Sequence, residues 1–286
     1  MMELLKNLTQ GKLNKPKGAT AKEMECTPSG SAAEVLTPKS FCDPESGAPC
    51  ITVCASKGGC ECNSEGVRAA FVEEIARQGL NISVGKGKVG CGGKCKKGPF
   101  VAFPQKGYFY LGVRPENVAE IVEKTLVQGY VLFPYLSINP DRSYRTDLYY
   151  EKDTGLLAAM TDDVCMVQVA KYFLDFEEGL SCGKCVPCRI GMKRMNESME
   201  KIVSGEGTPA DIDQIRDLCK TMMDTPLCEF AMTSSRPVLS AITHFEDEFK
   251  AHVERQECPA GVCSALVEIQ RKRAVRERLH RKPKKK

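Results

Sequence analysis

The sequence contains no long apolar run. Its richest stretch, Tyr130 to Leu136, is interrupted by Pro134 and falls far short of the roughly 18 residues that a bilayer-spanning helix requires, so no membrane span is expected. The N-terminus, MMELLKNLTQGKLNK, carries leucines but neither a continuous apolar segment nor a small-residue cleavage site. That argues against a secretory signal and for a cytoplasmic protein. Aromatic residues are few, 7% of the chain, and are not interleaved among the basic ones, which counts against a nucleic-acid-binding surface. The remaining composition, 42% hydrophobic and 27% charged, is that of a globular chain rather than a disordered or fibrous one.

Cysteine is the residue in excess, 16 in 286 positions. Thiols of the cytosol are kept reduced, so this number points to metal or redox chemistry rather than to a disulfide framework. Charge is also unevenly placed. From Arg271 to Lys286 there are ten Lys or Arg and one Glu, a tail of +9 on a chain of net charge +4, so the other residues sum to −5. A terminal run of this kind reads as a solvated basic tail, with contact to an acidic surface or nucleic acid as the alternative.

Residues 1–45 hold Gly and Pro among Lys, Ser and Thr with no sustained period, an extended or partly disordered leader. From 46 to 136 the order is β-α-β-β-β-α. CITVCAS reads as a strand, and NSEGVRAAFVEEIARQGL as a helix with Val67, Phe71 and Ile75 on one face. NISVGKGKVG is a second strand, PFVAFPQKGYFYLGV is two short ones, and a helix opens at Pro115. That is the element content of a thioredoxin-like domain. Residues 137–160 read as a linker. From Thr161, placed to cap TDDVCMVQVAKYFLDFEEG, only helical periods follow. Met192, Met195, Met199 and Ile202 share one face, Ile212, Ile215 and Leu218 follow the cap Thr208, and SRPVLSAITHFEDEFKAHVE reads as one helix. The expected fold class is α+β, a thioredoxin-like domain followed by an all-α four-helix bundle over residues 161–250.

Three groups of cysteines carry the chemistry. In SCGKCVPCR, Cys182, Cys185 and Cys188 place three thiolates on one tight loop, with Cys228 as a distant fourth. Runs of this kind hold a cubane [4Fe-4S] cluster, whereas structural zinc takes separated C-x2-C pairs. Cys54 and Cys60, with Cys91 and Cys95 in GCGGKCKKGP, describe a second four-thiolate site. Its spacing fits a [2Fe-2S] centre and a zinc site alike, and Cys62 is an alternative to Cys60. His252, Cys258 and Cys263 form a candidate zinc hook within residues 251–270, which needs a fourth ligand from elsewhere. Cys165 and Cys219 read as small core residues, and Cys26, Cys42 and Cys50, in or near the leader, have no assigned task.

The stretch from Val53 to Leu126 resembles the thioredoxin-like binuclear ferredoxin domain of NADH dehydrogenases and electron-bifurcating hydrogenases. Between Gly155 and Cys263, the text TDDVCMVQVAKYFLDFEEGLSCGKCVPCRIG, PLCEF, PVLSAITHFEDEF and CPAGVC resembles the C-terminal part of their NADH-binding flavoprotein subunit. The resemblance implies that Cys182, Cys185, Cys188 and Cys228 hold a [4Fe-4S] cluster. It implies that Cys54, Cys60, Cys91 and Cys95 hold a [2Fe-2S] cluster, although one residue more separates the first two than the family usually places there, and it suggests zinc near His252. The family's flavin- and NADH-binding module should lie between the two blocks, and only the segment 139–160 stands there. No FMN or NAD site is therefore expected in this chain, and the flavin is expected on a partner subunit.

The implied function is an iron–sulfur electron-transfer subunit, with no catalytic residue of its own, of a soluble NAD(P)-linked, flavin-based electron-bifurcating complex. A hydrogenase, transhydrogenase or formate dehydrogenase would serve as host, its other members a flavoprotein NAD(P)(H)-binding subunit and further iron–sulfur subunits. Two alternatives compete. A thioredoxin-like thiol redox protein would want a C-x-x-C at a helix N-terminus of the first domain, and none is there. A zinc-stabilised interaction or nucleic-acid-binding protein is disfavoured by the acidic body.

Overall fold

Parallel pairing of two short strands organises the first half of the molecule. In the computed structural model, which describes residues 41–43, 46–55, 61–91, 96–137 and 145–280, β1 (Ile51–Cys54) pairs in parallel with β2 (Val84–Val89), and α1 (Ser64–Arg77) makes the crossover between them. β3 (Phe100–Phe103) lies antiparallel on the other side of β1, and β4 (Tyr108–Leu111) extends the sheet beyond it. α2 (Val118–Ile121) follows, entered by a 3-10 turn over Pro115–Asn117 and continued by wider π turns over Val122–Val127. The strand order β4-β3-β1-β2 with one parallel pair is the thioredoxin-like arrangement. Val67, Phe71 and Ile75 of α1 pack with Ile51, Val53, Val101 and Tyr110 on one face of this sheet. Burial of each such side chain contributes on the order of 1.5–3 kcal/mol. Of the leader expected over residues 1–45, residues 1–40, which include Cys26, fall outside the described residues, as do Cys60 and Cys95.

The stretch 137–160 is not the linker that its weak periodicity suggests. Leu136–Ser137 adds a short β5 to the edge of β4, and β6 (Leu148–Glu151) and β7 (Leu156–Ala159) form a hairpin. β7 pairs antiparallel with β2, giving a seven-stranded sheet in the order β5-β4-β3-β1-β2-β7-β6. Side-chain alternation explains the hairpin. Tyr149, Leu156 and Ala158 meet Phe100, Ala102 and Phe109 on the second face of the sheet, while Leu148, Tyr150, Leu157 and Ala159 turn into the helical core. Gly87 permits the close approach, since a Cβ there would lie 3.1 Å from the carbonyl oxygens of both Ala159 and Met160.

The helical half is built from α3 (Met166–Leu180), α4 (Lys193–Ser204), α5 (Pro209–Asp224) and α7 (Arg236–His244), with the short α6 (Glu229–Thr233) and α8 (Glu246–Lys250) between and after them. Met192, Met195, Met199 and Ile202 are buried in its core, as their spacing predicts. Three expectations are corrected. Thr161 does not cap α3. The helix starts at Met166 with Cys165 at its N-cap, and the first amide is capped by Glu248 of α8, whose Oε2 accepts from Met166 N at 2.9 Å. The single helix expected across 235–254 breaks at Phe245, which is buried in the helical core and leaves the helical conformation at φ −123° and ψ 31°. The basic tail is helical through His280, within α9 (Ser264–His280), anchored by Leu266 and exposed from Arg271 to Leu279. Among the described residues, no helix is long and apolar enough to cross a membrane.

Cys42 and Cys50, left without a task by the sequence, are joined in a disulfide whose short loop turns through Gly47 at φ 71°. Both are buried against the α1 side of the sheet.

Candidate metal centres

The tetranuclear candidate sits where α3 ends. Gly183, at φ 66°, turns the chain after Leu180, and the loop delivers Cys182 and Cys185 before a π segment over Pro187–Met192, which carries Cys188, leads into α4. Cys228 arrives as the N-cap of α6. Cys185 and Cys188 are buried, whereas Cys182 and Cys228 are exposed. Burial and, after it, the neighbouring Cys185 thiol push the Cys188 thiol up to about 11, while the Ser181 side chain pulls the other way. Cys228 acts electrostatically on the same sulfur. Cys185 and Cys228 thus both act on Cys188, and Cys182 shares the loop of Cys185. That all-thiol donor set fits a cubane cluster.

The binuclear candidate lies at the C-terminal ends of the parallel pair. Cys54 closes β1, opposite Gly87 of β2, and Cys91 follows β2 by two residues. Cys54 is buried, and its sulfur accepts from the Phe100 amide at 3.4 Å, the kind of N–H···S bond that orients a metal-bound thiolate. Cys62, half-buried, stands just before α1, whose N-terminus opens at the same end of the sheet and favours negative charge nearby. Cys60 and Cys95 lie outside the described residues, so the choice between Cys60 and Cys62 rests on the sequence.

The third centre is more complete than its sequence signal. Cys165, His252, Cys258 and Cys263 are all buried, and their ligand atoms lie within 4.8 Å of one another. His252 Nε2 is 3.4 Å from Cys165 Sγ and 3.3 Å from Cys263 Sγ, and the two sulfurs are 3.6 Å apart. A tetrahedral zinc with bonds of about 2.0–2.3 Å has ligand–ligand edges of roughly 3.5–3.8 Å, so this donor set fits that ion. Cys165, read from sequence as core, stands at the N-cap of α3 where it could serve as the fourth ligand, 87 residues before the histidine. His252 Nδ1 is 2.7 Å from the Glu248 carbonyl oxygen. Donation of the Nδ1 proton to that carbonyl leaves the Nε2 lone pair facing the thiols. The side-chain hydrogen bonds of Cys263 with Cys165 and Gln168 hold its thiol well below the ordinary range against the opposing effect of burial. The hydrogen bond to Cys263, burial and the negative charge of Cys263 push the Cys165 thiol up.

Residues 168–252 match the family model described as the NADH-ubiquinone oxidoreductase-F iron-sulfur binding region. That match lies in the helical half of the chain and includes Cys182, Cys185, Cys188 and Cys228. The chain is 46% identical over 114 residues to the HndC subunit of the NADP-reducing hydrogenase of Solidesulfovibrio fructosivorans, covering 40% of this chain and 23% of that protein. It is 34% identical over 106 residues to the F component of the NADH-quinone oxidoreductase of Mycobacterium tuberculosis, covering 37% and 24% respectively. It spans about a quarter of the length of these curated relatives. A solved thioredoxin-like [2Fe-2S] ferredoxin from Aquifex aeolicus is 32% identical, over 30% of this chain and 86% of that one, with a TM-score of 0.26.

Proposed function

We propose that this chain is an iron–sulfur electron-transfer subunit of an NAD(P)-linked oxidoreductase complex of the flavin-based, electron-bifurcating type. In this reading Cys182, Cys185, Cys188 and Cys228 hold a [4Fe-4S] cluster. Cys54, Cys91, Cys95 and one of Cys60 and Cys62 hold a [2Fe-2S] cluster. Zinc sits on Cys165, His252, Cys258 and Cys263. The observation that carries the reading is that all four of the first set of cysteines fall inside residues 168–252, the segment that matches an iron–sulfur binding region. Bound clusters would supply one-electron redox chemistry, and the protein's part is to fix their positions and tune their potentials. The exposed ligands suit exchange with a partner: Leu180, Val186, Ile190 and Leu227, which flank the four cysteines in sequence, are all exposed. The flavin and the NAD(P)(H) site belong to a partner subunit, and further iron–sulfur subunits complete the complex.

Anaerobic purification tests this directly. The full chain should be brown and carry about six irons with matching sulfide, two for one centre and four for the other. Its reduced electron paramagnetic resonance spectrum should contain both signals. Cys185→Ser should remove the tetranuclear signal and leave the binuclear one. A colourless chain without iron would end the reading.

A further inference from the structure

A lysine in the middle of a sheet needs a reason, because a buried charge costs several kcal/mol unless it is paired. Lys88 lies in β2 with its side chain 17% exposed, and its Nζ reaches across to the helical half. It donates to Glu248 Oε1 at 2.7 Å and to the Val164 carbonyl at 2.6 Å. The other carboxylate oxygen of Glu248 accepts the Met166 amide at 2.9 Å, and the Glu248 carbonyl faces His252 Nδ1 at 2.7 Å. Lys88 and Glu248 therefore grip the backbone on both sides of Cys165, the residue between Val164 and Met166. Glu248 also orients His252. Two of the four ligands of the third centre are set by this one ion pair, and neither of its members is a ligand.

The same lysine stands three residues before Cys91, at the end of β2 that carries the binuclear candidate. We propose that Lys88 and Glu248 are positioning residues that make the zinc centre a clamp between helical bundle and sheet. Metal bound at Cys165, His252, Cys258 and Cys263 fixes the 164–166 backbone and α8. Through Lys88, these fix the end of β2 that leads to Cys91. The proposal rests on the assignment of zinc to these four ligands.

Coupling of this kind is reciprocal: if metal holds Lys88 in place, Lys88 must tighten the metal. The test is zinc affinity of the full chain, purified with its iron and measured by competition with a chromophoric chelator. Lys88→Met should weaken zinc binding about five- to tenfold, in the range seen for groups that orient metal ligands, and Lys88→Arg, which keeps the charge, should recover most of it. Hydrogen exchange gives the second arm. Cys258→Ser, which removes a ligand remote from Lys88, should speed exchange of the Lys88 and Val89 amides at least tenfold. A wild-type chain without bound zinc would overturn the zinc reading and the clamp with it. Zinc bound with the same affinity in wild type and Lys88→Met would overturn the clamp alone.

Discussion

Cys165 was hidden in the sequence because nothing local marks it. It stands one residue before an amphipathic helix, a position where a small buried thiol is ordinary. Its partners His252, Cys258 and Cys263 are joined to it only by folding. The hook formed by those three was legible because they fall within a dozen residues. The prediction that separates core from ligand is chemical: Cys165→Ser should lose most of the bound zinc and keep its full iron, read by elemental analysis of the same sample. Cys165→Ala, which preserves core volume nearly as well, should lose the zinc too. A second prediction concerns Cys188, whose thiol is raised to about 11. Iron binds thiolate, so the fraction of Cys188 ready for metal rises with pH below that value. Anaerobic cluster reconstitution on the iron-free chain should therefore accelerate steadily from pH 7 to pH 9, followed by growth of the visible charge-transfer band.

At the scale of elements, the thioredoxin-like order could be read from periodicity and turns: Val67, Phe71 and Ile75 specify α1, and Gly107, at φ 73°, marks the β3–β4 turn. The β6–β7 hairpin could not. LYYE and LLAA are only four residues each, and both their faces are covered, so the polar alternation that announces a half-exposed strand is missing. What seats the hairpin lies some 70 residues earlier, in the glycines of VGKGKV. Gly87→Val would push side-chain carbon against the Ala159 and Met160 backbone, which cannot yield as a flexible side chain would. We expect a loss of about 1–3 kcal/mol, the range for overpacking a close contact, seen as a lowered denaturation midpoint. The start of α3 was misplaced for a related reason, since Glu248 caps it from α8 rather than a residue of its own segment.

The whole molecule joins its two candidate iron–sulfur regions by a continuous sheet and by the Lys88–Glu248 contact. Electron transfer falls steeply with separation, so a fixed spacing is what such a subunit must provide. The hairpin on β2 and the clamp at Lys88 both act on the strand that leads to Cys91. Among the described residues, the basic end faces solvent. Beyond Arg273, which bonds the Arg255 carbonyl at 2.9 Å, the side chains of α9 are exposed through Leu279. Its charge is nonetheless large: residues 274–286 carry seven Lys or Arg and one Glu, and removing that +6 turns a net +4 into −2. Truncation after Arg273 should leave iron and zinc contents unchanged and shift the melting temperature by no more than about 2 °C, because exposed substitutions away from caps and cores move stability by only about 0.5 kcal/mol. The same truncation should move the protein from retention on a cation exchanger at pH 7 to flow-through. Loss of bound metal on truncation would mean that the tail supports the frame after all.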